Sequence, residues 1–272
     1  MFSSEIFLLS HVEKQTKNSF QGLIAIDEVG RGCVAGPVLT CATVWIPCQT
    51  KTAQNWAPFV KDSKKLSPKK RLFCYEEVLQ EFNLTNSTAP IQNSHTLPLL
   101  KLCKPKYILP FESISEKYSN IKQTTPPMEC VAFCFGESNM AEVDSYNIWN
   151  AVQLAASRAL VGLKENSLIK LNISEQNCLI LMDGNKSISV PKMYENCLQT
   201  TAIKGDDIFL SIGLSSILAK VHRDIFMDSQ EKLYPKFGFS KHKGYGTSFH
   251  LEKILEHGTC PLHRLSFLKN YL

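Results

Sequence analysis

Leu23-Ile24-Ala25-Ile26-Asp27-Glu28-Val29-Gly30-Arg31-Gly32 is the stretch from which the rest of the chain can be read. Its first four residues form an apolar run, the pattern of a buried strand. Two carboxylates stand at the strand's end, and a glycine-flanked arginine turn follows at once. Carboxylates gather hard cations such as Mg²⁺. Glycines let backbone N–H groups approach a phosphate closely. A metal site beside a phosphate site is what metal-assisted phosphodiester chemistry needs. Arg31 has two readings: it forks onto a phosphate, or it pairs with a core carboxylate.

Working outward, a lead-in helix is expected over residues 4–17, strand one over 23–27, and a β-branched, apolar second strand over 37–45. Ser67-Pro68 is a helix start, with serine at the N-cap and proline at the first helical position. Leu72, Tyr75, Val78, Leu79 and Phe82 then keep a helical period on one face. From 84 to about 128 the character changes. Pro90, Pro98, Pro105, Pro110, Pro126 and Pro127 fall here, out of 13 prolines in the chain, and the apolar residues lose their period. That segment reads as an insertion, partly irregular.

Order returns with a strand over 130–135. Asn139 and Glu142 give a capping-box start for one long helix running to Leu163. Cys178-Leu179-Ile180-Leu181-Met182 is a buried strand ending at Asp183-Gly184, and 200–203 a further short strand closed by Lys204-Gly205-Asp206. A long helix over 210–233 and a short one over 249–256 complete the chain. Strands alternating with helices predict an α/β fold with a mixed sheet and flanking helices.

The 272 residues are 44% hydrophobic and 20% charged, an ordinary globular composition, with a net charge of +5. The charge is local. Lys61, Lys64, Lys65, Lys69, Lys70 and Arg71 face only Asp62, and Lys236, Lys241, His242 and Lys243 form a second basic stretch. Such patches suit a polyanion groove, although charge alone favours two solvated surfaces. Ten cysteines include no C-x-x-C pair, and several lie in apolar runs. They read as core residues in a reducing compartment, not as a disulfide frame. With no apolar run of membrane-spanning length and no signal-peptide pattern, the expected location is cytoplasmic, away from membranes.

Three apolar strands thus end in acids: Asp27-Glu28, Asp183 and Asp206. In open α/β sheets, sites gather beyond strand ends. Four carboxylates meeting there repel one another unless cations bind. Taken singly each has a plainer reading, and Asp183-Gly184 is a common turn pair. Tyr245 lies in Lys241-His242-Lys243-Gly244-Tyr245-Gly246-Thr247, an aromatic ring among lysines and a natural platform for a sugar or base. His222, His242 and His263 read as structural or phosphate-facing, and neither a His-Glu-x-x-His motif nor a Walker loop is present.

Asp27-Glu28-Val29-Gly30-Arg31-Gly32 with Ala35-Gly36-Pro37-Val38 resembles the opening signature of ribonuclease HII, the type 2 ribonuclease H family. So do Asp62-Ser63-Lys64-Lys65-Leu66-Ser67, Asp183-Gly184, Lys204-Gly205-Asp206, and Ser216-Ile217-Leu218-Ala219-Lys220-Val221 with Arg223-Asp224. His242-Lys243-Gly244-Tyr245-Gly246-Thr247 and Pro261-Leu262-His263-Arg264-Leu265-Ser266-Phe267 complete the order. The resemblance implies a ribonuclease H-like mixed sheet flanked by helices, with a helical C-terminal part. It implies an endonuclease that cuts the RNA strand of RNA–DNA hybrids and nicks duplex DNA 5′ to embedded ribonucleotides. On it, Asp27, Glu28, Asp183 and Asp206 hold two divalent ions, Mg²⁺ or Mn²⁺. Gly30, Arg31, Gly32 and Tyr245 sense the ribonucleotide, and Lys64, Lys65 and Lys243 face phosphates. Residues 1–272 are then one catalytic domain, expected to be monomeric, interrupted by the insertion at 84–128.

The chain also departs from that family. Asp207 follows Asp206 where relatives usually carry a lysine, so it competes for the role of fourth acid. From the residues alone two other classes stay open. One is a nucleic-acid-binding module without catalysis. The other is a metal-dependent phosphatase for small esters, which needs no basic flanks.

Overall fold

The computed structural model of the chain describes residues 3–48, 54–60, 66–89, 91–92, 102–109 and 128–271. In chain order these give α1 (Ser3–Thr16), β1 (Gly22–Val29), β2 (Val38–Pro47), α2 (Ala57–Val60), α3 (Pro68–Glu81), β3 (Ile91–Gln92), β4 (Leu102–Cys103), β5 (Tyr107–Leu109) and β6 (Met128–Ser138). There follow α4 (Met140–Tyr146), α5 (Ile148–Leu163), β7 (Cys178–Asp183), β8 (Val190–Pro191), β9 (Leu198–Ala202), α6 (Gly205–Ile208), α7 (Leu210–Gln230), α8 (Phe239–His242), α9 (Ser248–His257) and α10 (Leu265–Leu268).

Seven strands form one mixed sheet in the order β3-β6-β2-β1-β7-β9-β5. β1 and β2 pair antiparallel, as do β2 and β6, whereas β1, β7 and β9 run parallel. Both faces of the central strands are apolar, as parallel strands covered by helices require. Leu23, Ala25, Leu179 and Leu181 pack with α1, α3 and α7. Their alternating neighbours Ile24, Ile26, Ile180 and Met182 pack with α5. A third cluster, including Val34, Met227, Phe239 and Leu262, ties the C-terminal helices to the turn after β1.

Three expectations are refined. The long helix after Asn139 is two helices. The capping box of Asn139 and Glu142 starts α4, but Asn147 takes φ 68° and its side chain accepts a bond from the Asn150 amide, so it restarts the chain as α5. At φ 68° and ψ 164° the Asn147 backbone leaves the helical region, and its side chain caps a new helix, which accounts for the break. On α3, Ser67 caps as expected, and Tyr75, Val78 and Leu79 are buried, but Leu72 is exposed. The described part of the 84–128 segment is not wholly irregular: β3 and β5 supply both outer edges of the main sheet. All ten cysteines are outside disulfides. Among the described residues, no helix is long and apolar enough to cross a membrane.

His222 is structural. His222 stacks on Phe135 at 4.3 Å, and its Nδ1 lies 2.9 Å from the Tyr75 hydroxyl. Burial lowers its pKa from 6.5 to about 4. The unfolded chain therefore binds a proton that the folded chain refuses. Stability from this residue is full above about pH 6.5 and is lost as pH falls toward about 4. Replacing His222→Gln is expected to flatten the pH dependence of the unfolding free energy across that window by about one proton. Urea denaturation at a series of pH values measures it, and an unchanged slope would contradict a neutral buried His222.

Candidate active site

The parallel register of β1 and β7 sets Ile26 opposite Met182, so Asp27 and Asp183 come next and stand level at the strand ends. Strand alternation gives both the parity of Leu23, Ala25, Leu179 and Leu181, on the face covered by α7. β9 continues the row, pairing Asp183 with Ala202, and the chain then turns into α6. Gly205 there donates its amide to Asp183 Oδ1 at 2.7 Å, which brings Asp206 beside Asp183. Asp206 is buried and Asp207 exposed, so of the two competing acids Asp206 faces the interior.

The acids sense one another. Asp27 is 7% exposed. Burial pushes its pKa well above the usual carboxylate range, and the charges of Glu28 and Asp183 push it further. A hydroxyl bond from Ser216 on α7 and the Glu28 amide at 2.8 Å oppose the rise. Glu28 is also raised, chiefly by burial, while Arg31 draws it down and Asp183 adds to the rise. Among the described residues, no group of three or more His, Cys, Asp and Glu side chains is drawn tightly enough to hold a metal ion.

Arg31 resolves its two readings in favour of a carboxylate, but one belonging to the site. Its Nη1 lies 3.0 Å from Glu28 Oε1 while the side chain stays 54% exposed. It also sits 5.7 Å from the centre of the Trp149 ring, which Lys186 approaches at 5.6 Å. Tyr245 is joined to the turn after β1 by a bridge to Cys33. Together with Glu28, Val29, Arg71, Ser216, Ile217 and Lys220 it lines a cleft of about 300 Å³. The Lys220 ammonium stands 5.8 Å from the Tyr245 ring centre and 2.6 Å from Asp224.

Beneath Tyr245 lies a chain of neutral histidines. The Tyr245 carbonyl accepts from His250 Nδ1 at 2.9 Å, so His250 Nε2 must accept from His263 Nε2 at 3.1 Å. His263 Nδ1 in turn accepts the Cys260 amide at 2.8 Å. Burial lowers both histidines to about 4, which agrees with this neutral pattern.

The structure thus brings Asp27, Glu28 and Asp183 within electrostatic reach and sets Asp206 one residue beyond the Gly205 amide that binds Asp183. Glu28 and Tyr245 line one cleft, and Arg31, in the turn that follows β1, reaches it through its bond to Glu28. Lys243 is engaged elsewhere, with Asp228 and the Ser240 carbonyl. Lys64 and Lys65 lie outside the described residues. Ser216, Lys220, Arg71 and Trp149 were not singled out as site residues. Ser216 and Lys220 lie one helical turn apart on α7, a spacing that carries no chemical signal until the acid row is known.

Acids thus stand level on adjacent parallel strands of a mixed sheet flanked by helices. A family model described as Ribonuclease HII matches residues 24–270. A ribonuclease HII of Shewanella sp. (strain W3-18-1) is 33% identical over 249 residues, covering 90% of this chain and 88% of that protein. One from Thermotoga maritima is 32% identical over 257 residues, covering 94% of this chain and 77% of its own. The crystal structure of ribonuclease H2 from Pyrococcus horikoshii OT3 shares the fold, with a TM-score of 0.51 at 16% identity over 92% of this chain and 96% of that one. The chain belongs to the ribonuclease HII family, and it is an endoribonuclease of the ribonuclease H type.

The glycines of the turn separate by cause. Gly30 has φ 91°, and a Cβ there would lie 2.5 Å from Arg223 Nε and 2.8 Å from the Pro37 oxygen. Gly32 is not in the left-handed region, and a Cβ there would meet nothing within 4 Å. Gly30→Ala is expected to cost about 1–3 kcal/mol of stability. Gly32→Ala is expected to stay within about 0.5 kcal/mol of the parent. Urea unfolding of both variants checks this contrast, and equal losses would refute it.

Proposed function

We propose that this enzyme hydrolyses the RNA strand of RNA–DNA hybrids and nicks duplex DNA on the 5′ side of an embedded ribonucleotide, leaving a 3′-hydroxyl and a 5′-phosphate. The observation that carries this reading is the level register of Asp27 and Asp183, with Glu28 beside them in a cation-rimmed cleft. A phosphatase for small esters would have no use for the cations that flank this cleft, Arg31, Arg71 and Lys220.

Asp27, Glu28, Asp183 and Asp206 would hold two divalent cations, Mg²⁺ or Mn²⁺. The donor set fits hard ions, being carboxylate oxygens throughout. Burial and like charge, which raise Asp27, are penalties that bound cations relieve. When bound, such ions supply acidification of the attacking water and stabilisation of the departing 3′-oxygen. The protein's own groups set the geometry. The Ser216 hydroxyl and the Glu28 amide orient Asp27, and the Gly205 amide orients Asp183. The attacking water gives up a proton to solvent as its oxygen bonds to phosphorus and the P–O3′ bond breaks, and the 3′-oxygen leaves with a proton taken up from solvent.

The 2′-hydroxyl is the one chemical handle that marks a ribonucleotide in DNA. The Tyr245 ring, held from below by His250, packs on that sugar, and the amides of Gly30, Arg31 and Gly32 take the adjoining phosphate. The open space at Gly32 supports close approach of a strand. Lys64 and Lys65 extend the phosphate track, and Lys243 joins it on leaving Asp228. On this reading residues 1–272 form one monomeric catalytic domain with 84–128 as an insertion. The ten cysteines outside disulfides support work in a reducing compartment, the cytoplasm.

The test is product mapping on an end-labelled DNA duplex carrying one ribonucleotide. A single nick 5′ to the ribonucleotide is expected with Mg²⁺ or Mn²⁺, and none in a chelator. Asp27→Asn and Asp183→Asn are each expected to abolish cleavage while duplex binding persists. Normal turnover by either variant would remove the proposed metal site. Gly32→Ala is expected to weaken binding of this duplex, measured by fluorescence anisotropy. Unaltered affinity would take the turn out of the substrate track.

A further inference from the structure

We infer that Arg264 and Arg223 are positioning residues. Their buried guanidinium groups aim the amides of the turn after β1 and lock that turn to the Tyr245 loop. The inference rests on the reading of these two loops as the substrate-reading surface.

Both side chains are buried, Arg264 at 0% and Arg223 at 1% exposure. Among the described residues neither has a carboxylate in ion-pair contact. Asp144 acts on Arg264 only through space; a buried charge without a contacting counter-charge is costly, and an apolar side chain would fill the space with less penalty. What each arginine binds is backbone carbonyl oxygen. Arg264 donates through Nη1 to Gly30 at 2.7 Å, Cys33 at 2.8 Å and Arg31 at 3.3 Å, and through Nε to Gly36 at 2.8 Å. Arg223 donates through Nε to Pro37 at 2.9 Å, through Nη2 to Ala35 at 2.9 Å and through Nη1 to Lys243 at 2.8 Å.

The consequence follows from peptide geometry. In a trans peptide the C=O of one residue and the N–H of the next point in opposite directions. With the Gly30 and Arg31 carbonyls drawn onto Arg264, the amides of Arg31 and Gly32 must point away from the buried guanidinium. Arg223 does the companion task. It binds the turn at Ala35 and Pro37 and the other loop at Lys243, two residues before Tyr245. Backbone bonds from Val34 and Ala35 to the Gly244 oxygen, and from Arg264 to the Val34 oxygen, complete the braid. Room for the guanidinium groups also explains Gly36 (φ 83°), where a Cβ would lie 2.9 Å from Arg223 Nη2 and 2.5 Å from Met227 Sδ. Only a planar fork with several fixed donors satisfies so many converging carbonyls, and a lysine ammonium lacks that fork.

Arg264→Lys in the full chain tests this, with amide hydrogen exchange and cleavage of the one-ribonucleotide duplex as readouts. Exchange across residues 30–36 is expected to quicken by about tenfold or more, while amides of 23–26 and 178–182 keep their protection. On the duplex, kcat is expected to fall by about tenfold or more with KM within about threefold, because geometry at the scissile phosphate is lost before affinity. Exchange that is unchanged across the turn overturns the proposal, as does acceleration spread evenly over the sheet, which marks a merely structural role. A parental kcat also overturns it. Should Arg264→Lys fail to fold, Arg223→Lys carries the same test, with the expected acceleration centred on 34–37 and 242–245. If the parent protein does not cut this duplex at all, the proposed function falls, whereas the exchange measurement still judges the arginines.

Discussion

Two like charges held level at the ends of neighbouring strands are the constraint around which this protein is built. Asp27 and Asp183 are fixed by the parallel pairing of β1 with β7, and neither can retreat without breaking the centre of the sheet. Their surroundings supply partial compensation: the Ser216 hydroxyl and the Glu28 amide for Asp27, the Gly205 amide for Asp183, and Arg31 for Glu28. These bonds orient the oxygens without cancelling the repulsion, and Asp27 remains strongly raised. On the proposed reading, bound cations would relieve this penalty.

Ser216 contributes only if α7 docks in one register, and that register is set by a small buried polar network. The Ser215 hydroxyl lies 2.9 Å from Thr43 Oγ1 and donates to the Ala25 carbonyl at 3.1 Å. The Trp45 indole donates to Thr43 Oγ1 at 2.8 Å. At the start of α7, the Glu5 carboxylate accepts from both the amide and the hydroxyl of Ser211. Apolar contacts alone tolerate sliding between a helix and a sheet, whereas satisfied hydrogen bonds in the interior do not. The polar core thus decides where the catalytic face of α7 sits.

The opposite wall of the cleft is organised differently. The turn after β1 and the Tyr245 loop have little regular structure, so their backbone carbonyls need other partners. Arg223, Arg264 and the histidine chain beneath Tyr245 provide them. The two loops are thus held by buried side chains, while the sheet carries the acids. The described part of the proline-rich segment contributes β3 and β5 as sheet edges.

Much of this was legible in the chain itself. The apolar runs at 23–26 and 178–182, each followed by an acid, located both strands, because burial on both faces leaves no other pattern, although β1 continues past Asp27 to Val29 through its pairing with β2. Ser67-Pro68 and the Asn139–Glu142 capping box set helix starts to the residue, since caps are local chemistry. The break at Asn147 was hidden, as an asparagine in a helical pattern does not announce its φ. The meeting of Asp27 with Asp183, the choice of Asp206 over Asp207, the pairing of Arg31 with Glu28 and the buried arginines belong to the tertiary structure alone. Each depends on which strands lie side by side and which backbone groups are left facing one another. Sequence spacing cannot state that: Asp27 and Asp183, or Arg264 and the turn after β1, are more than a hundred residues apart and meet only through the fold, while Arg31, three residues from Glu28, could as well have turned away from it.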